Sequence, residues 1–311
     1  MNETIRGYAT AVAGMAAHAG TSRSLSSELG ELVAFLEGAD ELQWALTDTS
    51  IPVTGRRAIV EELLTGKIGD LAVRLVSFTV GNDKPTDTVA NLRWVTGFVE
   101  AVENAGIDGD DVSLGLPDEL IGPPVGRQGT HERVGGYAAA VFAVVHGEGR
   151  LAEIEDELFR FARVVEGNGE LRRALANWNT PSRQRARLVT DLLGGKVDRV
   201  TVSLVSYALR AGNVGSLVAL LDWLVERAAI ERNGRVGEVR TAVELTGEQL
   251  GRMEAALRRA VGHDVELRSH LDPSVIGGAQ IVVGDLEIDG TVKRKLEAAR
   301  TSLLGTARHT R

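Results

Sequence analysis

Two short runs look like phosphate-binding loops: Leu64-Thr65-Gly66-Lys67 and Gly194-Gly195-Lys196. A Walker-type loop needs an earlier glycine at fixed spacing, so that backbone N–H groups cradle the phosphates, and a serine or threonine after the lysine to hold magnesium. Neither run has either one; Ile68 and Val197 follow the lysines. Both runs read instead as helix C-termini, where glycine turns the chain and lysine complements the dipole. The six histidines (His18, His131, His146, His263, His270 and His309) are scattered, with no His-Glu-x-x-His and no pair at helical ligand spacing. His263 and His270 share one segment and read as surface residues. Asp272, Asp285 and Asp289 surround one turn-rich stretch, and turn and capping roles account for each. No Gly-x-Ser-x-Gly elbow occurs, and the chain has no cysteine, which excludes thiol catalysis, disulfides and cysteine zinc sites. The expectation is no catalytic residue, no cofactor and no metal. The chain reads as a connector.

Composition sets the class of scaffold. The 311 residues suggest more than one domain, and 43% hydrophobic content with only 7 Pro suits globular cores. Aromatics make up 4%, which favours helices packed on helices through Ala, Leu and Val. No run of about 18 apolar residues is present to span a membrane, and the start, MNETIRGYATAV, lacks the apolar core of a signal peptide. Net charge is −8: residues 1–131 hold 9 basic and 19 acidic residues, and residues 132–311 hold 26 and 24. There is no basic stripe for nucleic acid. The acidity serves solubility, and the first third would suit a more basic partner.

The elements that carry these residues repeat. Gly7-Tyr8-Ala9 recurs as Gly136-Tyr137-Ala138, an offset of 129. The same offset maps Glu28-Leu29 onto Glu157-Leu158, Pro52 onto Pro181, Arg56 onto Arg185, Gly66-Lys67 onto Gly195-Lys196, Leu75-Val76-Ser77 onto Leu204-Val205-Ser206, and Trp94 onto Trp223. This is a duplication, and two copies are too few for a solenoid, so each is expected to be a bundle. Leu25, Leu29, Leu32 and Leu36 step at helical spacing, as do Ile154, Leu158, Phe161 and Val165. The pattern predicts six helices per copy, at 4–19, 22–37, 39–47, 54–66, 69–82 and 86–104, then the same plus 129. Tyr8, Trp94, Tyr137 and Trp223 read as core or half-buried anchors. Residues 105–131 hold six Gly and three Pro and read as a linker with a short helix at 117–120.

From about residue 234 the period changes. Val239, Thr241, Val243 and Leu245 alternate as one strand face, and Val265, Leu267, Ser269 and Leu271 as another. Between them Thr246-x-x-Gln249 is a capping box opening a helix to about 261. Then comes LDPSVIGGAQIVVGDLEIDGTV, residues 271–292. Asp272-Pro273 punctuates, Gly277-Gly278 permits a tight turn, and Gly284-Asp285 joins two short strands as a hairpin. Asp289 precedes a final helix with Val292, Leu296, Ala299 and Leu303 at helical spacing. The fold class expected is α plus a small α/β part: two tandem six-helix bundles followed by a C-terminal α/β domain. The boundaries are 1–104, linker 105–131, 132–232 and 233–306.

The ordered string Leu271, Asp272, Val275, Gly277, Gly278, Ile281, Gly284, with Asp289-Gly290 in an Ile-Asp-Gly-Thr-Val run, resembles the C-terminal signature of the delta subunit of F-type ATP synthases, the oligomycin-sensitivity-conferring protein family. Val282 departs from it, since the family carries a polar residue there. The resemblance covers residues 132–304 and implies a non-catalytic stator subunit. It implies that a bundle receives the N-terminal helix of an alpha subunit in a groove between its first and fifth helices. Here Tyr137, Val141, Val145, Leu204, Val205 and Ala208 would line that groove, although the same residues also suit a bundle core. It implies further that the C-terminal domain meets the end of the b subunit, that the alpha/beta hexamer is thereby held, and that the protein sits peripherally on the cytoplasmic face of the cell membrane, associated only through the complex. Ordinary members have one bundle, so the first 131 residues are extra. They could brace the stalk or meet a second alpha subunit. Alternatives from other classes are a soluble helical adaptor and a ligand-sensing regulator.

Overall fold

The computed structural model describes residues 2–107, 116–177, 179–213, 215–234, 236–261, 265–272, 275, 277–283, 286–291 and 294. The chain forms two compact units, Met1–Ala229 and Ile230–Arg311. Both helical copies lie in the first unit.

The first copy comprises α1 (Glu3–His18), α2 (Ser22–Gly38), α3 (Asp40–Thr47), α4 (Val53–Leu64), α5 (Asp70–Gly81) and α6 (Thr88–Asn104). After a short α7 (Asp118–Ile121), the second copy comprises α8 (Arg127–Gly147), α9 (Leu151–Gly167), α10 (Gly169–Ala176), α11 (Ser182–Leu193), α12 (Arg199–Arg210) and α13 (Leu217–Gly234). Adding 129 to the bounds of α2 through α5 reproduces those of α9 through α12 to the residue. The leucine stripe of α2 and its counterpart on α9 are buried as their spacing predicts.

Polar ties repeat with the helices. Arg56 Nη1 donates to Leu46 O at 3.3 Å, and Arg185 Nη1 to Leu175 O at 3.0 Å. Each thus satisfies a carbonyl at the end of a short third helix, where the helix itself supplies no donor. The Glu28 carboxylate accepts from Gly69 N at 2.9 Å, just before α5, and Glu157 accepts from Asp198 N at 3.0 and 3.1 Å, just before α12. Both acids sit at a helix N-terminus, where negative charge is favoured. Gly66 and Gly195, with φ of 77° and 72°, end α4 and α11. A side chain would strain there, so the two Gly-Lys runs are helix stops.

The stretch expected as a linker is packed over its second half. Leu116 and Ile121 are buried, and Arg210 Nη2 holds both Leu116 O and Asp118 Oδ1 at 2.6 Å. The short helix expected at 117–120 is present as α7, while α8 starts at Arg127, inside that stretch.

The second unit holds β1 (Val236–Thr241), α14 (Gly247–Val261), β2 (Glu266–Leu271), β3 (Ala279–Val283) and β4 (Leu286–Asp289). Strand order is β2-β1-β3-β4, with β1 and β2 parallel across the α14 crossover and the other pairs antiparallel. A parallel pair needs such a crossover. The capping box forms: Thr246 N donates to Gln249 Oε1 at 2.9 Å, and Gln249 N to Thr246 Oγ1 at 3.3 Å. Val239, Leu257, Val265 and Leu267 make the core, with Leu245, Met253 and Ile281 against it. Two expected strand faces are shorter than predicted. β1 ends at Thr241, whose Oγ1 donates to Val243 O at 2.7 Å as the chain turns, and Val243 is 68% exposed. On β2, Val265 and Leu267 are buried, but Ser269 and Leu271 are exposed, because this edge strand outruns its small core. The expected final helix and the Gly284-Asp285 turn lie outside the described residues.

Candidate functional site

The most extensive pairing of helices in the first unit joins the two copies: α1 lies against α8. A glycine from each permits it. A Cβ on Gly7 would stand 1.8 Å from Arg133 O and 2.9 Å from Tyr137 N. A Cβ on Gly136 would stand 1.9 Å from Thr4 O and 3.0 Å from Tyr8 N. Residues 4, 7 and 8 become 133, 136 and 137 on adding 129, so the contact is reciprocal, as across a two-fold axis. The backbones touch where any side chain would intrude.

Charge and ring contacts surround the crossing. The Arg133 side chain is fully buried; its Nε meets Glu3 Oε2 at 2.5 Å, Nη1 donates to Ala211 O at 2.9 Å, and Nη2 to Pro123 O at 3.2 Å. A buried guanidinium is tolerable only with such partners. Arg6 lies over the Trp94 ring at 4.6 Å, and burial holds its pKa below the usual value against the pull of Glu3. Tyr8 stacks on Phe78 with ring centroids 3.7 Å apart, and Tyr137 on Tyr207 at 4.1 Å. Burial pushes the Tyr207 hydroxyl, which faces Thr10 of α1, up to about 12. In the second copy Gly135 stands where the first has Arg6, and the Trp223 ring closes on it instead.

The six residues expected to line a helix-receiving groove are all here and all covered. Tyr137 is 5% exposed, Val141 7%, Val145 1%, and Leu204, Val205 and Ala208 are at 0%. They belong to the continuous apolar core of the first unit. As folded, they fill core, and α1 lies along the helix that carries three of them.

The C-terminal signature shapes the sheet unit. Asp272 N donates to Thr241 O at 2.9 Å, and Val275 N to Asp272 O at 3.1 Å, turning the chain away from β2. Val275 is buried and Leu271 is exposed. Gly278 faces the backbone of Gly290, whose oxygen would lie 2.5 Å from an added Cβ, and Gly290 N donates to Ala279 O at 2.9 Å. Ile281 pairs with Val239 on one side and Ile288 on the other, and Asp289 pairs with Gln280. Gly284 lies outside the described residues. Among the described residues no group of three or more His, Asp or Glu is placed to hold a metal, and no helix is long and apolar enough to cross a membrane.

Sequence reasoning found Gly7-Tyr8-Ala9 and its repeat but took them as markers of duplication, and it passed over Glu3 and Arg133. The available signal was the run of small residues on α1 (Gly7, Ala9, Ala11, Ala13, Gly14, Ala16), all of them buried. Such a run lets a second backbone come close.

Comparisons with known proteins agree with the layout. The model of the family "ATP synthase delta (OSCP) subunit" matches residues 5–89 and 134–303, so it covers α1 to α5 of the first copy, most of the second copy and the sheet unit. An ATP synthase subunit delta of Salinispora arenicola is 34% identical over 278 residues, 89% of this chain and 87% of the relative. Subunits of the same name from Parafrankia and Beutenbergia cavernae are 31% and 32% identical, covering 90% and 93% of this chain and 87% and 93% of theirs. With a matching family model over most of its length and relatives above 30% identity across nearly nine-tenths or more of both chains, the chain belongs to the ATP synthase delta (OSCP) subunit family.

Proposed function

We propose that this chain is a non-catalytic stator subunit that ties the alpha/beta hexamer to the b subunit of the peripheral stalk, at the cytoplasmic face of the cell membrane. The observation that carries this reading is the family match, which runs in order through the first copy, the second copy and the sheet unit. The physical task is to resist torque, and a scaffold of buried helices with repeated polar ties suits it. In this reading the sheet unit, which occurs once, meets the end of b, and the helical unit holds the head through an alpha subunit. Joining both attachments in one chain raises the effective concentration of the second once the first is made.

Reconstitution tests this. Membranes stripped of the chain should lose coupling between ATP hydrolysis and proton pumping, and adding the chain back should restore it, with alpha, beta and b retained together. A chain that restores nothing and captures none of the three subunits would refute the stator role. Stabilisation by a small metabolite in its place would point to a sensor.

A further inference from the structure

We propose that α1 and α8 are each other's permanent partners: the extra copy supplies α1 as the standing occupant of the α8 face, so Tyr137, Val141, Val145, Leu204, Val205 and Ala208 stay covered within the complex, and the head is held by the outer faces of the helical unit. The inference rests on the stator reading and specifies which surface that reading can use.

Three observations carry it. The first is closeness. Gly7 and Gly136 bring backbone against backbone, with carbonyls 1.8 and 1.9 Å from where a Cβ would stand. An outside helix could match that approach only with a glycine in register. The second is charge. Arg133 is fully buried and its counter-charge, Glu3, comes from α1. A helix replacing α1 would leave a guanidinium in the core without its carboxylate, a heavy penalty. The third is the burial of α1 itself. Ten of its residues between Ile5 and Ala16 are buried, more than the single stripe of a surface helix. Because the contact is reciprocal, displacing α1 would bare two apolar faces at once.

The test uses the full chain, since removing residues 1–128 would itself strip α1 from α8. Amide hydrogen exchange is compared for the free chain and the chain bound to the alpha/beta hexamer. The expected result is unchanged protection across 3–18 and 127–147, with new protection confined to exposed helix faces. Faster exchange in 3–18 on binding would show α1 being displaced and would overturn the proposal. Failure to bind the hexamer at all would instead remove the stator reading, and this inference with it. A second measurement uses Gly7→Leu, which forces the crossing apart. Head affinity should stay level or fall. A tenfold rise would mean that the covered face is the true docking site. If this variant does not fold, the exchange comparison on the unaltered chain still decides.

Discussion

The two helical copies share their second to fifth helices to the residue and differ in what they place on them. Arg56 and Arg185 make the same buried bond to a third-helix carbonyl. Glu28 and Glu157 cap the same fifth helix. The outer charge is reversed: residues 40–70 hold six acidic and three basic residues, while residues 169–199 hold three and seven. Exposed Arg172, Arg173, Arg183 and Arg187 stand where the first copy has Gln43, Trp44, Thr54 and Ala58. The first copy folds without those arginines, so the fold does not need them. The ties at the third and fifth helices stayed alike, while these outward-facing positions diverged.

The sharpest way to break this comparison is at the crossing. Gly136→Leu should destabilise the helical unit by about 3 kcal/mol or more through overpacking against backbone, read as a shifted urea midpoint. Separate unfolding of the two copies in unaltered protein would show that they are not one cooperative body. Next come the caps. Glu157 is buried and also accepts from Thr201 Oγ1, whereas the Glu28 side chain is more open. Glu157→Ala should therefore cost about 2 kcal/mol and Glu28→Ala about 1 kcal/mol. Equal costs would mean that burial does not separate them.

A third test uses pH. Tyr207 occupies the place of Phe78 in the first copy, and its pKa is raised from 10.0 to about 12. Below pH 10 the phenol is neutral in folded and unfolded chains, and its contribution is fully present. Between pH 10 and 12 the unfolded chain gives up the proton while the folded chain retains it, so stability drains away, by about 2 to 3 kcal/mol at the upper end. Tyr207→Phe should remove that fraction of the alkaline loss, which a denaturation series from pH 9 to 12 would read. The smallest expected change in stability is at the surface. Arg183→Glu with Arg187→Glu should move stability by under about 0.5 kcal/mol yet weaken and flatten the salt dependence of any contact with an acidic partner segment. Thr54→Glu with Ala58→Glu is the matched control on the other copy.

Much of this fold was legible because its signals are local. Periodic apolar residues placed α2 and α9, Thr246 and Gln249 marked the start of α14, and the constant offset of 129 transferred each reading from one copy to the other. What was not legible depends on distant residues. Nothing near Glu3 indicates that its partner is Arg133, and nothing near Gly7 indicates that a second backbone passes there. The six proposed groove residues show the same limit. Their apolar spacing fits a groove and a core equally, and in the folded chain they lie in the apolar core of the first unit. Val243 was misplaced for a related reason: alternation continues in sequence after Thr241 has turned the strand away.

The anchoring of Leu116 has a kinetic consequence. Ile107 packs on the core at the end of the first copy, and Leu116 is buried and held by Arg210 on the second, with eight residues between them. A span that short reaches at most about 30 Å. Should thermal motion part α1 from α8, the two faces remain tethered within easy reach and reclose as a unimolecular event. Dilution cannot pull the copies apart. Two separate subunits docked through the same faces would drift off whenever their concentration fell.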